Sequence, residues 1–355
     1  MDRTALTWPG APMALASAAL FGASTPFAKL LLGAVDPWLL AGLLYLGSGF
    51  GLALVQLARR PLGISAAEAP LRRADLPWLL LVVLAGGVAG PVLLMFGLAR
   101  TSAASAALLL NLEGLATMAI AWVVFRENVD RRILLGALAI LGGAVLLSWQ
   151  GGPAGLGWGT PLIAGACLAW GIDNNLTRKL SGADPVQIAM LKGLAAGAVN
   201  LGLALARGAA WPDLATLLGA GLIGFLGYGV SLTLFVLALR HLGTARTGAY
   251  FSTAPFIGGA IAVVVFADPI TVRLLGAAVL MAIGIALHLV ERHEHEHVHE
   301  EMVHEHAHVH DEHHRHAHAP GDPPGEPHVH AHRHTRLAHR HPHYPDLHHR
   351  HEHAA

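Results

Sequence analysis

Charge is scarce in this sequence. Only 13% of the 355 residues are Asp, Glu, Lys or Arg, whereas 54% are hydrophobic. Soluble domains carry about 25% charged residues, so a soluble globular domain is excluded for most of the chain. The formal net charge is zero, so charge balance gives no indication of a nucleic-acid partner.

Cysteine and catalytic motifs are also scarce. Because Cys167 is the one cysteine, no intramolecular disulfide can form and the redox compartment is not constrained. The sequence has no Gly-rich phosphate loop and no nucleophile elbow, and His-Glu-x-x-His occurs only within the histidine-rich tail, at 293–297, 295–299 and 304–308. It therefore predicts neither an enzyme nor a required cofactor. A cleaved signal peptide is not expected, since one basic residue, Arg3, precedes the first of many apolar runs.

Long apolar runs are what the chain contains instead. A membrane span needs about 20 mainly apolar residues, and ten such runs, separated by turn signals or charges, precede residue 291. They are 12–32, 37–58, 76–98, 102–125, 132–149, 157–177, 186–206, 214–239, 244–267 and 271–290. The sequence therefore predicts an all-α membrane protein with ten transmembrane helices in the lipid bilayer.

The charges between these runs predict the orientation. If the N-terminus is cytoplasmic, eleven basic residues fall on the inner side and three on the outer side. The inner set is Arg3, Arg59, Arg60, Arg72, Arg73, Arg126, Arg131, Arg132, Arg178, Lys179 and Arg240, and the outer set is Arg100, Arg207 and Arg273. Basic residues favour the cytoplasmic side, so we expect a protein of the cell (inner) membrane with both termini in the cytoplasm.

The two halves of the chain repeat each other. In LFGASTPFAKLLLGAVDP (20–37) and LAWGIDNNLTRKLSGADP (168–185), Phe21-Gly22 matches Trp170-Gly171, and residues 97–114 align without gaps on 238–255. Each half has five predicted spans, and an odd number makes the second half enter the membrane upside down. Inverted repeats are typical of transporters. The predicted division is 1–150, 151–290 and a C-terminal tail, 291–355.

A family resemblance follows from these patterns. FGASTPFAK, SAASAALLLNLEG and FRENVDRRILLGALAILGGAVLL, followed by their second copies, resemble the EamA-type transporters of the drug/metabolite transporter superfamily over residues 12–290. The resemblance implies a ten-helix carrier with cytoplasmic termini that moves small metabolites by alternating access. Relatives usually have proline after the position of Glu113, whereas this chain has Gly114 and keeps Pro255 in the second half.

Ionisable residues inside the spans are the first candidates for a substrate site, because charge at membrane depth is costly and usually faces a cavity or a partner. They are Lys29, Glu113, Asp173 and Lys192. Each also has a structural explanation. Lys29 can reach the interface, and Glu113 can make a structural hydrogen bond. Asp173 can cap its helix or pair with Arg178, Lys179 or Lys192, the last of which lies at similar depth on the consecutive helix. A carboxylate that takes up a proton during transport would couple the substrate to protons.

Uncharged polar residues extend the candidate pathway. Asn174 and Asn175 lean to opposite sides of the predicted helix, and Asn111 lies nearly opposite Glu113 on its own helix. Prolines either free backbone carbonyls for substrate or merely kink the helices. The predicted pathway residues are Ser24, Thr25, Lys29, Asn111, Glu113, Trp170, Asp173, Asn174, Asn175, Lys192, Tyr250, Ser252 and Thr253.

The tail is rich in histidine. Residues 293–353 hold 23 of the 25 histidines, and their low apolar content predicts disorder. The many His-x-His pairs predict binding of zinc, nickel, cobalt or copper without selection of one metal. The first candidate ligands are His293, His295, His297, His299, His304, His306, His308 and His310. A cytoplasmic acidity sensor is an alternative, since histidine titrates near pH 6.5.

Three functions remain open from the sequence. The first is a secondary transporter that exports a small organic metabolite. The second is a divalent-metal transporter with the tail as a metal buffer, and the third is a membrane-anchored metal store or sensor. The Gly-rich stretches 136–143 and 221–229 indicate tight helix packing, with a homodimer face as the alternative.

Overall fold

A computed structural model of the chain describes residues 10–59, 71–125, 131–149, 157–177, 180, 183–235, 237–238, 247 and 250–289, together with four short strands in the tail. The membrane part is helical. Seven helical stretches of the described chain are long and apolar enough to cross a bilayer, and two further apolar helices are shorter. The protein is therefore a multi-pass membrane protein.

The first half of the chain begins with two unbroken helices and ends with another. Its elements are α1 (Gly10–Leu31), α2 (Pro37–Arg59), α3 (Leu76–Val82), a first π segment (Val83–Ala89), α4 (Gly90–Leu98), α5 (Ala103–Leu109), α6 (Leu112–Phe125) and α7 (Arg131–Ser148). A short 3-10 turn, Arg73–Asp75, precedes α3.

The second half has a similar order of elements. They are α8 (Gly159–Thr177), α9 (Pro185–Ala206), α10 (Leu214–Gly224), a second π segment (Phe225–Val230), α11 (Ala254–Phe266) and α12 (Val272–Leu289). The predicted spans 244–267 and 271–290 coincide with the two shorter apolar helices. The predicted span 157–177 coincides with α8, whose hydropathy is lowered by its polar triplet at 173–175.

Both halves depart from regular α-helix at matching positions. The two π segments lie about 141 residues apart in the sequence. This is the same offset that aligns 97–114 on 238–255. The fourth predicted span of each half is interrupted as well, at Leu110–Asn111 between α5 and α6 and at Ser252–Thr253 before α11. The predicted span 102–125 coincides with the candidate membrane crossing Ala103–Val124, in which the helix is interrupted at Leu110–Asn111.

Local chemistry explains the two interruptions. The Asn111 side chain donates to the Leu108 carbonyl oxygen at 2.8 Å and so competes with helical hydrogen bonding. Pro255 stands in the first turn of α11, where its missing N–H costs least. The first interruption lies at Leu110–Asn111 rather than at Gly114, which is inside α6.

Glycine contacts bring two pairs of helices close together. A Cβ atom added at Gly42 would lie 2.8 Å from the Leu201 nitrogen, and one at Gly197 would lie 2.6 Å from the Leu46 nitrogen. Residue numbers increase along α2 in the direction in which they decrease along α9, so these helices run antiparallel. α7 and α12 are also antiparallel, because Gly143 lies against Ala277 and Gly284 against Gly136. Small residues allow such close backbone approach in membranes.

The Gly-rich stretch 221–229 is likewise used within the chain. Gly221 and Gly224 lie at the backbone of Gly47 and Leu44 in α2, respectively. Packing inside one chain therefore accounts for glycines in both stretches, and a homodimer stays a prediction.

The tail contains four strands where the sequence predicts disorder. β1 (Glu294–His299) pairs with β4 (Leu337–Pro342), and β2 (Met302–His308) pairs with β3 (His328–His334), both antiparallel. The His-x-His alternation has the two-residue period of a β-strand. A prediction of disorder from composition alone takes no account of this period. Histidines stand opposite one another in the register, for example His295 opposite His341 and His304 opposite His332.

The predicted tail ligands divide between these strands and the rest of the tail. His295, His297, His299, His304, His306 and His308 lie on β1 and β2, whereas His293 and His310 lie outside the described residues. Metal binding by the tail stays a prediction.

Two glycines of α9 test the close packing of α2 and α9. We expect Gly197→Ala to lower the free energy of unfolding by about 1–3 kcal/mol, because its methyl group would overlap the backbone and side chain of Leu46. Gly202→Ala is the matched control, since nothing lies within 4 Å of its added Cβ. Thermal unfolding of the two purified variants measures the difference, and equal stabilities would contradict the packing.

Candidate functional site

The first π segment carries a backbone carbonyl that no helix N–H satisfies. In a π turn the Gly86 carbonyl would accept from residue 91, but Pro91 has no N–H. Two side chains donate to it instead, the Tyr45 hydroxyl at 2.7 Å and Trp170 Nε1 at 2.9 Å. This carbonyl therefore joins α2 and α8 to the third predicted span.

A neighbouring carbonyl joins α9 to the same segment. Asn200 Nδ2 donates to the Gly87 carbonyl at 2.9 Å, and Asn200 is fully buried. Inside a bilayer freed backbone groups are tolerated only where protein groups satisfy them. Asn200 and Tyr45 do so here, although the sequence patterns singled out neither residue.

An ion pair lies directly against this segment. Lys192 on α9 binds the Asp173 carboxylate on α8, and the two side chains are 13% and 7% exposed. The Thr177 hydroxyl lies 3.2 Å from the other Asp173 oxygen. A side chain at Gly86 would overlap the Asp173 carboxylate, so glycine is required there. The structure thus contains one of the pairs that the sequence allows for Asp173, whereas Arg178 and Lys179 lie outside the described residues.

A second carboxylate stands at the start of α6. Glu113 is in the first turn of this helix, where the positive end of the helix dipole favours negative charge. Asn174 Nδ2 donates to Glu113 Oε1 at 3.0 Å and also lies 3.2 Å from the Thr117 hydroxyl. Glu113 is partly accessible, and no basic side chain of the described residues forms an ion pair with it.

Asn175 holds two helices together rather than lining a passage. Its Nδ2 donates to the Thr117 carbonyl at 3.1 Å and to the Gly171 carbonyl at 2.8 Å, and the residue is 6% exposed. Cys167, two turns earlier on α8, lies 3.8 Å from the Leu109 carbonyl. Residue 167 thus lies beside 109 and residue 175 beside 117, so residue numbers increase in the same direction along the contacting helices. α8 therefore runs parallel to α5 and α6.

A cluster of aromatic rings packs beside these polar groups. The Phe21 ring centroid lies 6.5 Å from that of Trp170, 6.1 Å from Tyr228 and 5.4 Å from Phe251. Tyr45 and Tyr228 are 5.4 Å apart. Sequence reasoning named only Trp170 from this aromatic cluster. The match of Phe21 to Trp170 in the repeat is the signal that could have revealed Phe21.

Two predicted pathway residues lie apart from this group. Lys29 Nζ donates to the Leu98 carbonyl at 2.6 Å and also to that of Thr101, and so caps the C-terminal end of α4. Asn111 turns away from Glu113, with its Nδ2 3.6 Å from Met281 Sδ on α12.

The remaining predicted residues lie in α1 and before α11. The Ser24 hydroxyl donates to the Phe21 carbonyl at 2.6 Å, and Thr25 is buried. The Thr253 hydroxyl donates to the Tyr250 carbonyl at 2.6 Å. Ser252 stands in the same turn. Tyr250, Ser252 and Thr253 thus belong to the interruption that precedes α11.

Comparison with known proteins identifies the family. The model of the EamA-like transporter family matches the chain twice, over residues 8–149 and 157–290. The chain belongs to the EamA-like transporter family. An uncharacterized transporter of Methanothermobacter thermautotrophicus is 27% identical over 279 residues, which cover 75% of this chain and 81% of that protein. A solved crystal structure at 21% identity shares the fold, with a TM-score of 0.57 over 78% of this chain and 96% of that one.

The two matched regions of this EamA-like transporter place different chemistry at corresponding positions. A side chain at Gly227 in the second π segment would meet Ser24, just as one at Gly86 would meet Asp173. Ser24 corresponds to Asp173 in the alignment of Phe21-Gly22 on Trp170-Gly171. The charged group therefore occurs at only one of the two matching contacts.

The ion pair of the EamA-like transporter can be tested by separating its members. We expect Asp173→Asn or Lys192→Met alone to lower the free energy of unfolding by about 3–5 kcal/mol, because each leaves one buried charge unpaired. The double variant should recover most of that loss. A double-mutant cycle of unfolding in detergent measures the coupling, and additive losses would argue against a stabilising pair.

Proposed function

We propose that this protein is a secondary transporter, acting as an exporter, for a small organic metabolite. The observation that carries the proposal is the meeting of Glu113, Asn174 and the Asp173–Lys192 pair where α6 begins and α8 passes the first π segment. Interrupted helices and intramembrane charges are typical of substrate sites in transporters. Family membership supports transport in general, and the polar site supports an organic solute.

Alternating access follows from an inverted repeat, which several contacts support. α2 and α9 occupy the second place in each half and run antiparallel, as do α7 and α12 in the fifth place. α8, the first helix of the second half, runs parallel to α5 and α6, which together form the fourth predicted span of the first half. Both relations are those expected when five-helix halves cross the membrane in opposite senses. We infer that the halves rock against each other around the site.

The proposed orientation rests on loop charge. The excess of basic residues on one side favours cytoplasmic termini and a cell (inner) membrane location. The sequence before α1 and the connection between α7 and α8 should then face opposite compartments.

Reporter fusions test this topology. We expect a cytoplasmic reporter to be active when fused before residue 10 and inactive when fused after Ser148, because five crossings separate the two points. A periplasmic reporter at the same two points should give the reverse pattern. Activity of one reporter at both points would refute the inverted halves.

Metal cargo receives less support from the membrane part. Among the described residues no group of three or more His, Cys, Asp or Glu side chains is arranged to hold a metal ion. The metal-store alternative rests on the tail alone.

Metabolite profiling tests the transport function directly. Cells that produce the protein should show at least one small organic solute raised outside and lowered inside, relative to cells without it. Asp173→Asn/Lys192→Met should reduce this difference at least about tenfold, while truncation after Arg292 should leave it unchanged. Loss of zinc or nickel resistance on truncation, with no solute difference in any strain, would favour the metal alternatives.

A further inference from the structure

We propose that the groove between the end of α4 and the start of α8 binds a membrane phospholipid with an anionic headgroup. The Arg100 guanidinium holds the lipid phosphate, and one acyl chain lies along the exposed apolar side of α8. Such a site is independent of which solute the protein transports. It is built from a cavity, an arginine without a carboxylate partner among the described residues and the pattern of exposed residues on α8.

The two helices that form the groove meet at one surface of the membrane. A Cβ atom added at Gly159, the first residue of α8, would lie 3.0 Å from the Gly97 carbonyl oxygen near the end of α4. Farther into the bundle, a Cβ atom added at Gly90 would lie 2.7 Å from Trp170 Nε1. α4 and α8 are therefore antiparallel neighbours. The end of α4 and the start of α8 lie at the same boundary between hydrocarbon and water.

A cavity opens at this boundary. Its volume is about 400 Å³, and it is lined by Phe96, Arg100, Trp158 and Leu162. Trp158 is 81% exposed, and tryptophan is enriched where a membrane protein meets the lipid headgroups. One charged side chain and three apolar ones fit a ligand that is itself charged at one end and apolar along the rest.

Arg100 is positioned to bind a phosphate. Its Nη1 donates to the Phe96 carbonyl at 2.8 Å, and its guanidinium carbon lies 5.7 Å from the centroid of the Phe96 ring. No carboxylate of the described residues forms an ion pair with it. A guanidinium has five N–H donors in a planar fork that matches two phosphate oxygens. Arg100 can therefore hold a phosphate without giving up its contact with Phe96.

A second arginine adds positive charge at the same boundary. The Trp38 ring stands edge-on to Phe96, with centroids 6.3 Å apart, and the Arg207 guanidinium carbon lies 5.0 Å from the Trp38 centroid. The nearby carboxylate of Asp36 accepts from the Trp38 N–H at 2.9 Å, and within the described chain it forms no ion pair with either arginine. Basic residues near a membrane surface attract anionic lipids, so the headgroup that fits here carries negative charge.

Below the cavity, exposed apolar side chains follow one side of α8. Pro161, Leu168 and Ile172 are all exposed, and they fall within about 40° of one another at 100° per residue. Gly165 lies on the same side, and a Cβ atom added there would be 3.3 Å from the Leu93 side chain, so α4 borders this surface.

The length of this surface fits an acyl chain. Residues 161 to 172 span about 16 Å of helix, which is about half the hydrocarbon thickness of a bilayer and hence the depth of one leaflet. α4 belongs to the first matched region and α8 to the second, so one lipid in the groove contacts both halves of the transporter.

Lipid counting by native mass spectrometry tests the headgroup preference. The full-length protein in detergent is titrated with dioleoylphosphatidylglycerol or with dioleoylphosphatidylcholine. We expect the anionic lipid to bind at least about fivefold more tightly, because each basic residue near the headgroup favours negative charge. Excess inorganic phosphate should not displace it, since a free phosphate gains nothing from the apolar side of α8.

Charge variants locate the headgroup. Arg100→Gln should weaken phosphatidylglycerol binding at least about fivefold, and Arg100→Lys should retain part of the affinity because it keeps the charge but loses the fork. Arg273→Gln is the matched control. Arg273 is also exposed at a helix end, and its Nη1 likewise donates to a backbone carbonyl, that of Trp149 at 2.5 Å.

Tryptophan variants and a photoreactive lipid locate the acyl chain. Trp158→Ala should weaken binding, whereas Trp211→Ala should not, although Trp211 is likewise 59% exposed between two helices. A phosphatidylglycerol with a diazirine in its acyl chain should crosslink mainly to residues 158–172. Unfolding temperatures measured without lipid should be equal for each variant and its control, which separates weakened binding from misfolding.

Four results would overturn the site. They are equal binding of the two lipids, equal losses with Arg100→Gln and Arg273→Gln, equal losses with the two tryptophan variants, and crosslinks spread over all the helices. Displacement of the lipid by inorganic phosphate would show that the arginine binds free phosphate and would reject the phospholipid. Each of these results leaves the metabolite-profiling test of transport unaffected.

Discussion

A bilayer provides no water for polar groups, and this constraint explains why the centre of the bundle is built as it is. The first π segment and Pro91 free the Gly86 carbonyl, which Tyr45 and Trp170 bind. The absence of a side chain at Gly86 then admits the Asp173 carboxylate, which Lys192 neutralises. The departure from regular helix in the first π segment is thus compensated by side chains from other helices, and those side chains hold α2, α8 and α9 around one point.

The polar triplet of α8 divides three tasks among adjacent residues. Asp173 faces α9, Asn174 holds Glu113, and Asn175 binds backbone carbonyls of α6 and of its own helix. Successive residues on a helix point about 100° apart, so three neighbours reach three surroundings. The cost of polar groups in an apolar helix is offset because all three make hydrogen bonds.

The halves share architecture but not chemistry. π segments and interrupted helices recur at matching places, whereas the carboxylate at Asp173 is replaced by the Ser24 hydroxyl in the corresponding contact. Matching positions in the two halves therefore carry a charged group in one half and an uncharged hydroxyl in the other.

The sequence by itself determined that the chain is an apolar, multi-pass helical protein of the EamA-like family, because hydrophobic length and local motifs are properties of contiguous residues. It also indicated the Asp173–Lys192 pair, since both residues lie at similar depth on consecutive helices. It did not reveal the two π segments, the break at Asn111 or the aromatic cluster of Phe21, Tyr45 and Tyr228. Those depend on which side chains from distant helices satisfy a freed carbonyl or meet a ring, and only tertiary packing decides that.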